Sequence, residues 1–439
     1  MSGNQSRAAG NIQIFIIIDN VILGSTEIVD FVYKNGVNNI PEGYFKIVDR
    51  NAAYLYNTNT AIYGRLYFSD TGDNKDRKAA YLDFFITNID EDESSDANIT
   101  YKVDWVAGSQ DARKKTTRAF TGTSVEAISD ICKNYNYEIT DSLTENDIKP
   151  TDTMTWRYIQ DDMWEQLNVA VEKSWLPNDY MYWVYDDVNN IIKLSSFNYE
   201  KSLEDNQLFM FSTNAQTNTD ESITVLTNPD YTIWYYDQHK KQNILGQNTP
   251  VLYPNVSFSG VVDTDNKQSG YKTLCFHDML KSMGDTKQDK ILANTGITDM
   301  ETSYGELKVK RHSPNNAHKF YAGADVLRDR ELATYGKVMY VTIYNRIGPS
   351  LGTKASIIVY GSDYKVTGFN INRTYTDTYI LAEKYVRYTS TIVTATGVKS
   401  SGEAVMTTTL KYISDNIGDQ NFDNVENIIK QLNKDSGKK

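Results

Sequence analysis

The sequence predicts an α+β, mainly β protein with two small antiparallel β-barrels, an intervening α+β unit and an insertion domain. Three observations predict this class. Tyr outnumbers Phe by 32 to 15 and Pro occurs only 8 times in 439 residues, a composition that suits pleated, half-buried strands. Short alternating segments separated by turn signals fill residues 12–120 and resume after residue 222. Between these two regions, apolar residues repeat at helical spacing.

The first barrel is assigned to residues 1–120. Turn signals such as Asn35-Gly36 separate six candidate strands, a spacing that favours a barrel or a sandwich. The candidate strands are 12–18, 27–33, 44–49, 63–68, 81–86 and 100–106. The apolar run 12–18 is too short to span a membrane and lacks a cationic flank, so we expect a strand there and no membrane insertion.

The α+β unit is assigned to residues 121–200. Its first helix has a capping box, Thr123 with Glu126, and its second begins at Asp162 and Glu165. The apolar positions of the first helix are Val125, Ile128, Ile131 and Tyr135. Those of the second are Trp164, Leu167, Ala170 or Val171, and Trp175. A hairpin of 180–185 against 191–197 follows.

The second barrel is assigned to residues 201–239 and 335–390, with an insertion domain, 240–334, between its two parts. The segment from 240 to 299 is polar and rich in loop residues. A helix is predicted at 324–335, where it leads into the strands of the second barrel. A long hairpin, 364–372 against 379–388, is predicted within the second barrel.

The C-terminal residues, 391–439, form a polar tail that ends in one amphipathic helix. Its apolar positions are Phe422, Val425, Ile428 or Ile429, and Leu432. A helix with a single apolar stripe must bury that stripe. Its own domain and a partner protein are equally good candidates for the covering surface.

Charge and cysteine content exclude several classes of function. The net charge of −12 excludes the basic footprint of a nucleic-acid-binding protein. Cys132 and Cys275 are far apart in the chain, so we expect neither a disulfide framework nor a zinc site. The four histidines lack the spacing of a metal motif and are expected in solvated loops. They are His239, His277, His312 and His318.

Acidic and aromatic groups could in principle form a site. The run 90–96, D-E-D-E-S-S-D, lacks the Gly and the terminal Glu of a calcium loop, and we expect it to be a solvated loop. Asp161 and Asp162 could serve a glycosidase, although Asp162 is explained as a helix cap. Four tryptophans could line a sugar platform, but Trp164 and Trp175 lie at core spacing. The four are Trp156, Trp164, Trp175 and Trp183. We therefore predict no catalytic, cofactor-binding or metal residues and no cofactor.

Two segments resemble the central hub protein of contractile phage tail baseplates, a family shared with related contractile injection systems. In the first, residues 122–131, G-T-S-V-E-A-I-S-D-I, open a helix, and residues 155–167, T-W-R-Y-I-Q-D-D-M-W-E-Q-L, lead into a second helix and a hairpin. In the second, a helix carrying Leu327 and Tyr335 precedes 348–357, G-P-S-L-G-T-K-A-S-I, and 364–372, Y-K-V-T-G-F-N-I-N. In the family, these later elements build the second barrel.

The resemblance implies a structural role in the virion. It implies a homotrimeric ring that joins the sixfold tail tube to the threefold puncturing spike and forms part of the genome passage. The implied partners are the tail tube protein, a separate spike or tail lysozyme protein, other baseplate proteins, and DNA that passes without specific binding. The protein would be assembled in the host cytoplasm and reside in the tail baseplate.

Two alternative functions stay open on the sequence alone. One is a cell-wall or polysaccharide hydrolase of a phage tail, favoured by the aromatic and acidic residues. The other is a receptor-binding tail protein, which requires an exposed β-rich tip in place of a ring.

Overall fold

A computed structural model describes the following parts of the chain: 13–18, 21–24, 27–50, 63–69, 79–95, 98–150, 152–174, 176, 179–203, 207–212, 232–237, 256–259, 272–277, 307–312, 337–344, 347–360, 377–389 and 405–414. The first elements are β1 Gln13–Ile18, β2 Val21–Leu23, β3 Ile28–Gly36, β4 Asn39–Arg50, β5 Tyr63–Ser69, β6 Ala79–Ser95, β7 Asn98–Ala107 and β8 Thr116–Gly122. The middle elements are α1 Ser124–Asn134, β9 Ile139–Asp141, α2 Ser142–Glu145, β10 Met154–Asp161, α3 Met163–Glu172, β11 Met181–Asp186, β12 Ile191–Ser196 and α4 Phe197–Ser202. The last elements are β13 Gln207–Ser212, β14 Thr232–Asp237, β15 Val256–Ser259, β16 Lys272–His277, β17 Leu307–His312, β18 Lys337–Tyr344, β19 Lys354–Tyr360, β20 Asp377–Thr389 and β21 Val405–Ser414.

Most strands join one 14-stranded sheet. Its main path is β14-β13-β19-β20-β3-β4-β7-β6-β5-β1-β2, and β21, β18 and β15 extend from β20. Two smaller pairs, β8 with β10 and β16 with β17, and a three-stranded sheet of β11, β12 and β9 complete the described pairings. The mainly β, α+β class is confirmed. Among the described strands no pairing closes either half of the sheet into a ring, so two closed barrels stay a prediction.

One long strand, β20, joins the two halves of the large sheet. Its first residues pair with β19, its residues from Glu383 onward pair with β3, and β21 runs along its other edge. This arrangement corrects the predicted hairpin of 379–388 with 364–372, because other strands already occupy both edges of β20. The alternation in 379–388 identified a strand but could not identify its partner.

The pairing of β13 departs from the antiparallel barrel that the sequence predicted. β13 pairs in parallel with both β14 and β19. Parallel neighbours need a crossover of a dozen or more residues, and the segment 213–231 between β13 and β14 is long enough to supply one. Alternating side chains indicate that a segment is a strand, but they carry no information on its direction within the sheet.

The segment 240–334 contributes strands to two different sheets. β15 pairs with β18 and thereby belongs to the large sheet. β16 and β17 pair with each other in parallel. The division of the chain into domains, including an insertion at 240–334, stays a prediction.

Both predicted helices of the α+β unit form with their capping boxes. The Thr123 Oγ1 atom accepts from the Glu126 amide, and a Glu126 carboxylate oxygen accepts from the Thr123 amide at 2.8 Å. Asp162 and Glu165 make the same reciprocal pair at the start of α3. Each box satisfies amide groups that the first turn of a helix leaves without a partner. The hairpin of β11 with β12 also forms as the sequence predicted.

The first core contains aliphatic side chains and a group of aromatic rings from β3, β4, β5, β6 and β7. Trp105 is 1% exposed and lies near the rings of Phe31, Tyr33 and Phe84, with centroid distances of 6.5, 6.2 and 5.8 Å. The buried faces of α1 and α3 belong to the same cluster. The first half of the sheet and the α+β unit therefore share one core.

Strand β11 is buried on both faces. Met181, Trp183 and Tyr185 point into the first core. Tyr182 and Val184 point into a second core, which β18–β21 and α4 complete. A strand covered on both faces has no polar alternation, which accounts for the continuous sequence M-Y-W-V-Y at 181–185. Through β11, the α+β unit therefore packs against both halves of the sheet.

Several predictions lie outside the described residues. They are the helices at 324–335 and 422–432, strand 364–372, and the individual residues Trp175, His239 and His318.

Candidate assembly surfaces

A buried ion pair connects three separate parts of the chain. Lys384 of β20 is 1% exposed, and its Nζ atom lies 3.7 Å from Oδ2 of Asp187, which follows β11. The hydroxyl of Tyr33 in β3 donates to the same Asp187 oxygen at 2.5 Å. We call Tyr33, Asp187 and Lys384 the clasp. It ties the α+β unit to the strand that joins the two halves of the sheet.

The clasp keeps its tyrosine protonated. Burial raises the pKa of Tyr33 well above its usual value, and the adjacent Asp187 carboxylate raises it further. The phenol therefore remains a hydrogen-bond donor to Asp187, while Lys384 supplies the compensating positive charge. A buried charge is tolerated only when it is paired and hydrogen-bonded, and the clasp meets both conditions for Asp187.

Two further contacts hold the α+β unit on the sheet. In the turn between β3 and β4, Asn38 has a φ of 55°. Its backbone N–H donates to the carbonyl oxygen of Trp183, and its side-chain Oδ1 accepts from the backbone N–H of Trp183. On the second half, the buried Tyr182 hydroxyl donates to the carbonyl oxygen of Gly352 at 2.9 Å. Gly352 has a φ of +72°, and a Cβ atom there would lie 3.0 Å from the Tyr182 ring. Each half of the sheet is thus fastened separately to the hairpin β11–β12.

The two candidate acid–base carboxylates have structural partners. Asp162 accepts from the amides of Trp164 and Glu165, and its second oxygen lies 3.0 Å from Nη1 of Arg113. Asp161 accepts from the Ile159 amide at 2.9 Å within a bulge of β10. The structure therefore explains both residues as parts of a helix cap and a strand bulge.

Three of the four tryptophans considered for a sugar platform are buried. Trp156, Trp164 and Trp183 are at most 3% exposed. Trp164 stacks on Trp183 with a centroid distance of 5.6 Å. These rings belong to the core and present no face to a carbohydrate.

Two loop predictions are wrong. The acidic run from Asp90 lies in β6 up to Ser95, where it extends the pairing with β7, and the Nζ atom of Lys46 lies 2.7 Å from Oδ2 of Asp92. His312 ends β17, in register with His277 of β16. Charged and polar residues have a weak preference for strands, but backbone pairing with a neighbouring strand can still hold them in one.

Within the described residues, no group of three or more His, Cys, Asp or Glu side chains could hold a metal ion. Cys132 is a free, buried thiol whose pKa burial raises to about 12. A thiol with such a pKa stays protonated and unreactive at neutral pH. Cys132 is therefore a core residue.

The outer face of β3, β4, β7 and β20 carries ion pairs that are satisfied within the chain. We call it the ionic face. Its charged residues include Asp30, Lys34, Glu42, Lys46, Lys102, Asp104, Glu383 and Arg387. Lys34 lies 3.6 Å from Glu42, and Lys102 lies 2.8 Å from Asp104. Exposed pairs of this kind contribute little to stability, and the face is well suited to water.

The same outer face becomes apolar where it continues onto β6, β5, β1 and β2. Phe15, Tyr67 and Tyr81 stand opposite one another across three strands, and Ile17 stands opposite Ile22. We call these five residues the aromatic face. Phe15 is 38%, Tyr81 41% and Ile22 65% exposed. Aromatic side chains are enriched at protein–protein interfaces, so this is a candidate assembly surface.

A second aromatic row adjoins the aromatic face. Tyr63 and Phe85 are cross-strand partners with ring centroids 5.9 Å apart. The guanidinium of Arg113 lies over the Phe85 ring at 5.1 Å. This row is partly covered by the chain itself, whereas the row of Phe15, Tyr67 and Tyr81 is more open.

Sequence reasoning missed both the clasp and the aromatic face, although each left a signal. Lys384 lies in the inward register of β20 with Val386 and Tyr388, and a lysine in an apolar register indicates a buried partner. In β1 the outward positions include Phe15 and Ile17, which breaks the polar alternation expected of a strand with one solvated face.

No helix in the described part of the chain is both long and apolar enough to cross a bilayer. No family model matches the chain, and no curated protein matches it.

Three solved structures illustrate the likeness of this chain to known proteins. The tail protein from Neisseria meningitidis MC58 is 10% identical, with 93% of this chain and 98% of that chain covered and a TM-score of 0.47. The 43 kDa tail protein of prophage MuSo2 from Shewanella oneidensis is 8% identical, with 92% and 97% covered and a TM-score of 0.49. An E. coli type VI secretion system component, described as structurally similar to T4 bacteriophage tail proteins, is 9% identical, with 90% and 76% covered and a TM-score of 0.40. At these identities and TM-scores the likenesses carry no functional conclusion for this chain.

Proposed function

We propose that this chain is a structural hub subunit of a contractile-tail baseplate. Three copies form a ring that joins the sixfold tail tube to a threefold spike made by a separate protein. The ring forms part of the genome passage, and its other neighbours are further baseplate proteins. The protein acts in the virion, after assembly in the host cytoplasm.

The observation that supports this proposal is the connection between two halves of one sheet through a shared strand and a shared buried hairpin strand. β20 belongs to both halves, and β11 is buried against both cores. A threefold ring can contact a sixfold tube evenly only if each subunit presents two comparable surfaces at a fixed angle, about sixty degrees for six positions. A subunit with two firmly joined halves can hold such an angle under mechanical load.

The proposed role is mechanical and not catalytic. Asp161 and Asp162 are engaged in a bulge and a helix cap. Incubation of the purified chain with cell-wall and polysaccharide substrates is expected to release no product. Turnover that persists through repurification and is lost in an Asp161→Asn, Asp162→Asn variant would favour the hydrolase.

The passage through the ring is expected to lack a strongly basic lining. The chain carries a net charge of −12, and Lys or Arg rings would hold the phosphate backbone through counterion release and slow a moving duplex. A channel lined by many basic side chains would contradict this expectation.

The experiment that tests the proposed role is assembly on tail tubes. Purified chain is mixed with tubes polymerised from the tube protein of the same virion, and the tube ends are imaged by electron microscopy. We expect a ring on one end of each tube, because a hub contacts the terminal tube layer. Bare ends at saturating protein, with tubes of normal length, would contradict the proposal.

A further inference from the structure

An amine and a carboxamide stand directly opposite each other on the buried face of two neighbouring strands. Lys384 of β20 is the cross-strand partner of Asn35 of β3, and each residue is 1% exposed. The Cβ atoms of directly opposed residues are about 4.5–5.5 Å apart, a distance that the lysine stem spans. The pairing therefore places the Lys384 amine within reach of the Asn35 side chain in a buried site.

A carboxylate and a phenol complete this cluster. The Nζ atom of Lys384 lies 3.7 Å from Oδ2 of Asp187, and the Tyr33 hydroxyl donates to the same oxygen. The Asn35 side chain also forms a hydrogen bond with the Tyr33 hydroxyl. The three clasp residues and Asn35 thus meet at one place on the buried face of the sheet.

The carboxamide of Asn35 is held in one orientation by a hydrogen bond at each of its two polar atoms. Its Nδ2 atom donates to the carbonyl oxygen of Tyr185 at 2.9 Å, and its Oδ1 atom accepts from the Gly36 amide at 2.8 Å. An N–H group at that distance stabilises the negative charge that develops on a carbonyl oxygen when a nucleophile attacks its carbon. The contact with Gly36 therefore favours attack at Cγ of Asn35.

We propose that Lys384 and Asn35 form an intramolecular isopeptide bond after the chain has folded. The bond cross-links β3 to β20 next to the point where β20 exchanges β19 for β3 as its neighbour. A cross-link between residues far apart in the chain stabilises the fold mainly by restricting the unfolded chain. The ion pair of the clasp is the precursor that brings the reacting groups together.

The reaction needs no reagent from outside the cluster. Asp187 takes a proton from Lys384, which leaves the neutral amine that acts as a nucleophile. The Nζ atom forms a bond to Cγ of Asn35, and the bond between Cγ and Nδ2 breaks. Asp187 passes its proton to Nδ2, which departs as ammonia, and takes the excess proton from Nζ. The products are a secondary amide, ammonia and a protonated Asp187 that accepts the Tyr33 hydrogen bond as before.

Mass spectrometry of the intact, denatured chain tests the bond. We expect the wild-type mass to be lower than the sequence mass by the mass of one ammonia molecule. Lys384→Arg keeps a cation beside Asp187 but removes the nucleophile, because a guanidinium keeps its proton in proteins, and this variant should have its full sequence mass. Lys34→Arg is the matched control in β3, where the Lys34 side chain is 49% exposed, and it should keep the deficit.

Peptide mapping of the wild-type chain covers the case in which Lys384→Arg fails to fold. Trypsin does not cleave after a lysine whose Nζ atom is acylated. We therefore expect one branched peptide that contains both Asn35 and Lys384, and fragmentation should place the bond between these two side chains. Separate, unbranched peptides for the two residues would contradict the inference.

The remaining outcomes each overturn the inference. A wild-type chain that keeps its full sequence mass after prolonged incubation in the folded state has formed no bond. A deficit that persists in Lys384→Arg shows that Asn35 has cyclised with the Gly36 nitrogen instead, and a deficit of one water molecule mapped to Lys384 and Asp187 shows that the carboxylate is the group attacked. None of these results bears on the hub role, which assembly on tail tubes tests separately.

Discussion

At the scale of single residues, the clasp is a place where one substitution is expected to lower the stability of the fold strongly. Tyr33, Asp187 and Lys384 come from β3, the turn after β11, and β20, and all three are buried. Removing one partner of a buried pair leaves the other charge uncompensated, which costs far more than the pair contributes when intact. The clasp therefore restricts how the α+β unit can sit on the joining strand.

We predict that Lys384→Met destabilises the protein by about 3 kcal/mol, because Asp187 would keep its buried charge without a cation. Lys34→Met is the control, since Lys34 pairs with Glu42 at the surface at 3.6 Å, and the expected loss there is below about 1 kcal/mol. Urea denaturation followed by tryptophan fluorescence measures both changes. Equal losses in the two variants would contradict a special role for the clasp.

Alkaline pH provides a second test at this scale. Burial, together with the hydrogen bond to Asp30, raises the pKa of Tyr44 to about 12. An unfolded tyrosine loses its proton near pH 10, so between about pH 10 and 12 the unfolded chain binds fewer protons than the folded chain and stability falls as pH rises. The contribution of Tyr44 is complete below pH 10.

We therefore expect Tyr44→Phe to lower stability at pH 8 and to reduce the slope of stability against pH between 10 and 12. Buried tyrosines such as Tyr33 and Tyr182, whose pKa values are also raised, should preserve part of that slope. Urea titrations at a series of pH values measure the slope. An unchanged slope in Tyr44→Phe would show that Tyr44 does not contribute to it.

At the scale of elements, close approach of β3 and β4 depends on a glycine. A Cβ atom at Gly43 would lie 1.9 Å from the carbonyl oxygen of Val32 and 2.9 Å from the Trp105 ring. The first clash is with backbone, so no side-chain rotation relieves it. The two strands would have to separate beside the first core.

We predict that Gly43→Ala costs at least about 3 kcal/mol, at or above the upper end of the usual range for overpacking. Gly24→Ala is the control, because a Cβ atom there meets its nearest neighbour at an ordinary distance of 3.6 Å. Thermal unfolding followed by circular dichroism compares the two variants. A melting temperature for Gly43→Ala equal to that of Gly24→Ala would refute the close strand approach.

Sequence patterns predicted elements better than their partners. The strands of residues 13–107 and helices α1 and α3 follow from alternation and capping residues, which are local signals. The pairing of β20 with β3 joins residues more than 340 positions apart, Arg387 with Val32 for example, and no local signal encodes it. The parallel direction of β13 and the strand formed by the acidic run were missed for the same reason.

At the scale of the whole molecule, the chain combines a firm interior with two contrasting parts of one outer face. The ionic face satisfies its charges within the chain, whereas the aromatic face leaves apolar rings exposed. The clasp, the shared strand β20 and the doubly buried β11 hold the two halves of the sheet in a fixed relation. The hub role proposed above would require two joined halves and an exposed contact surface together.

The most direct test of the hub proposal is an image of the purified protein alone. Single-particle electron microscopy, with averaging performed without imposed symmetry, should show a threefold ring with an open centre. Its mass should be that of three copies of the 50.0 kDa chain. Six similar densities, two from each subunit, should surround the opening at intervals of about sixty degrees. A monomer with a single cleft, or an elongated particle with an exposed β-rich tip, would contradict the account.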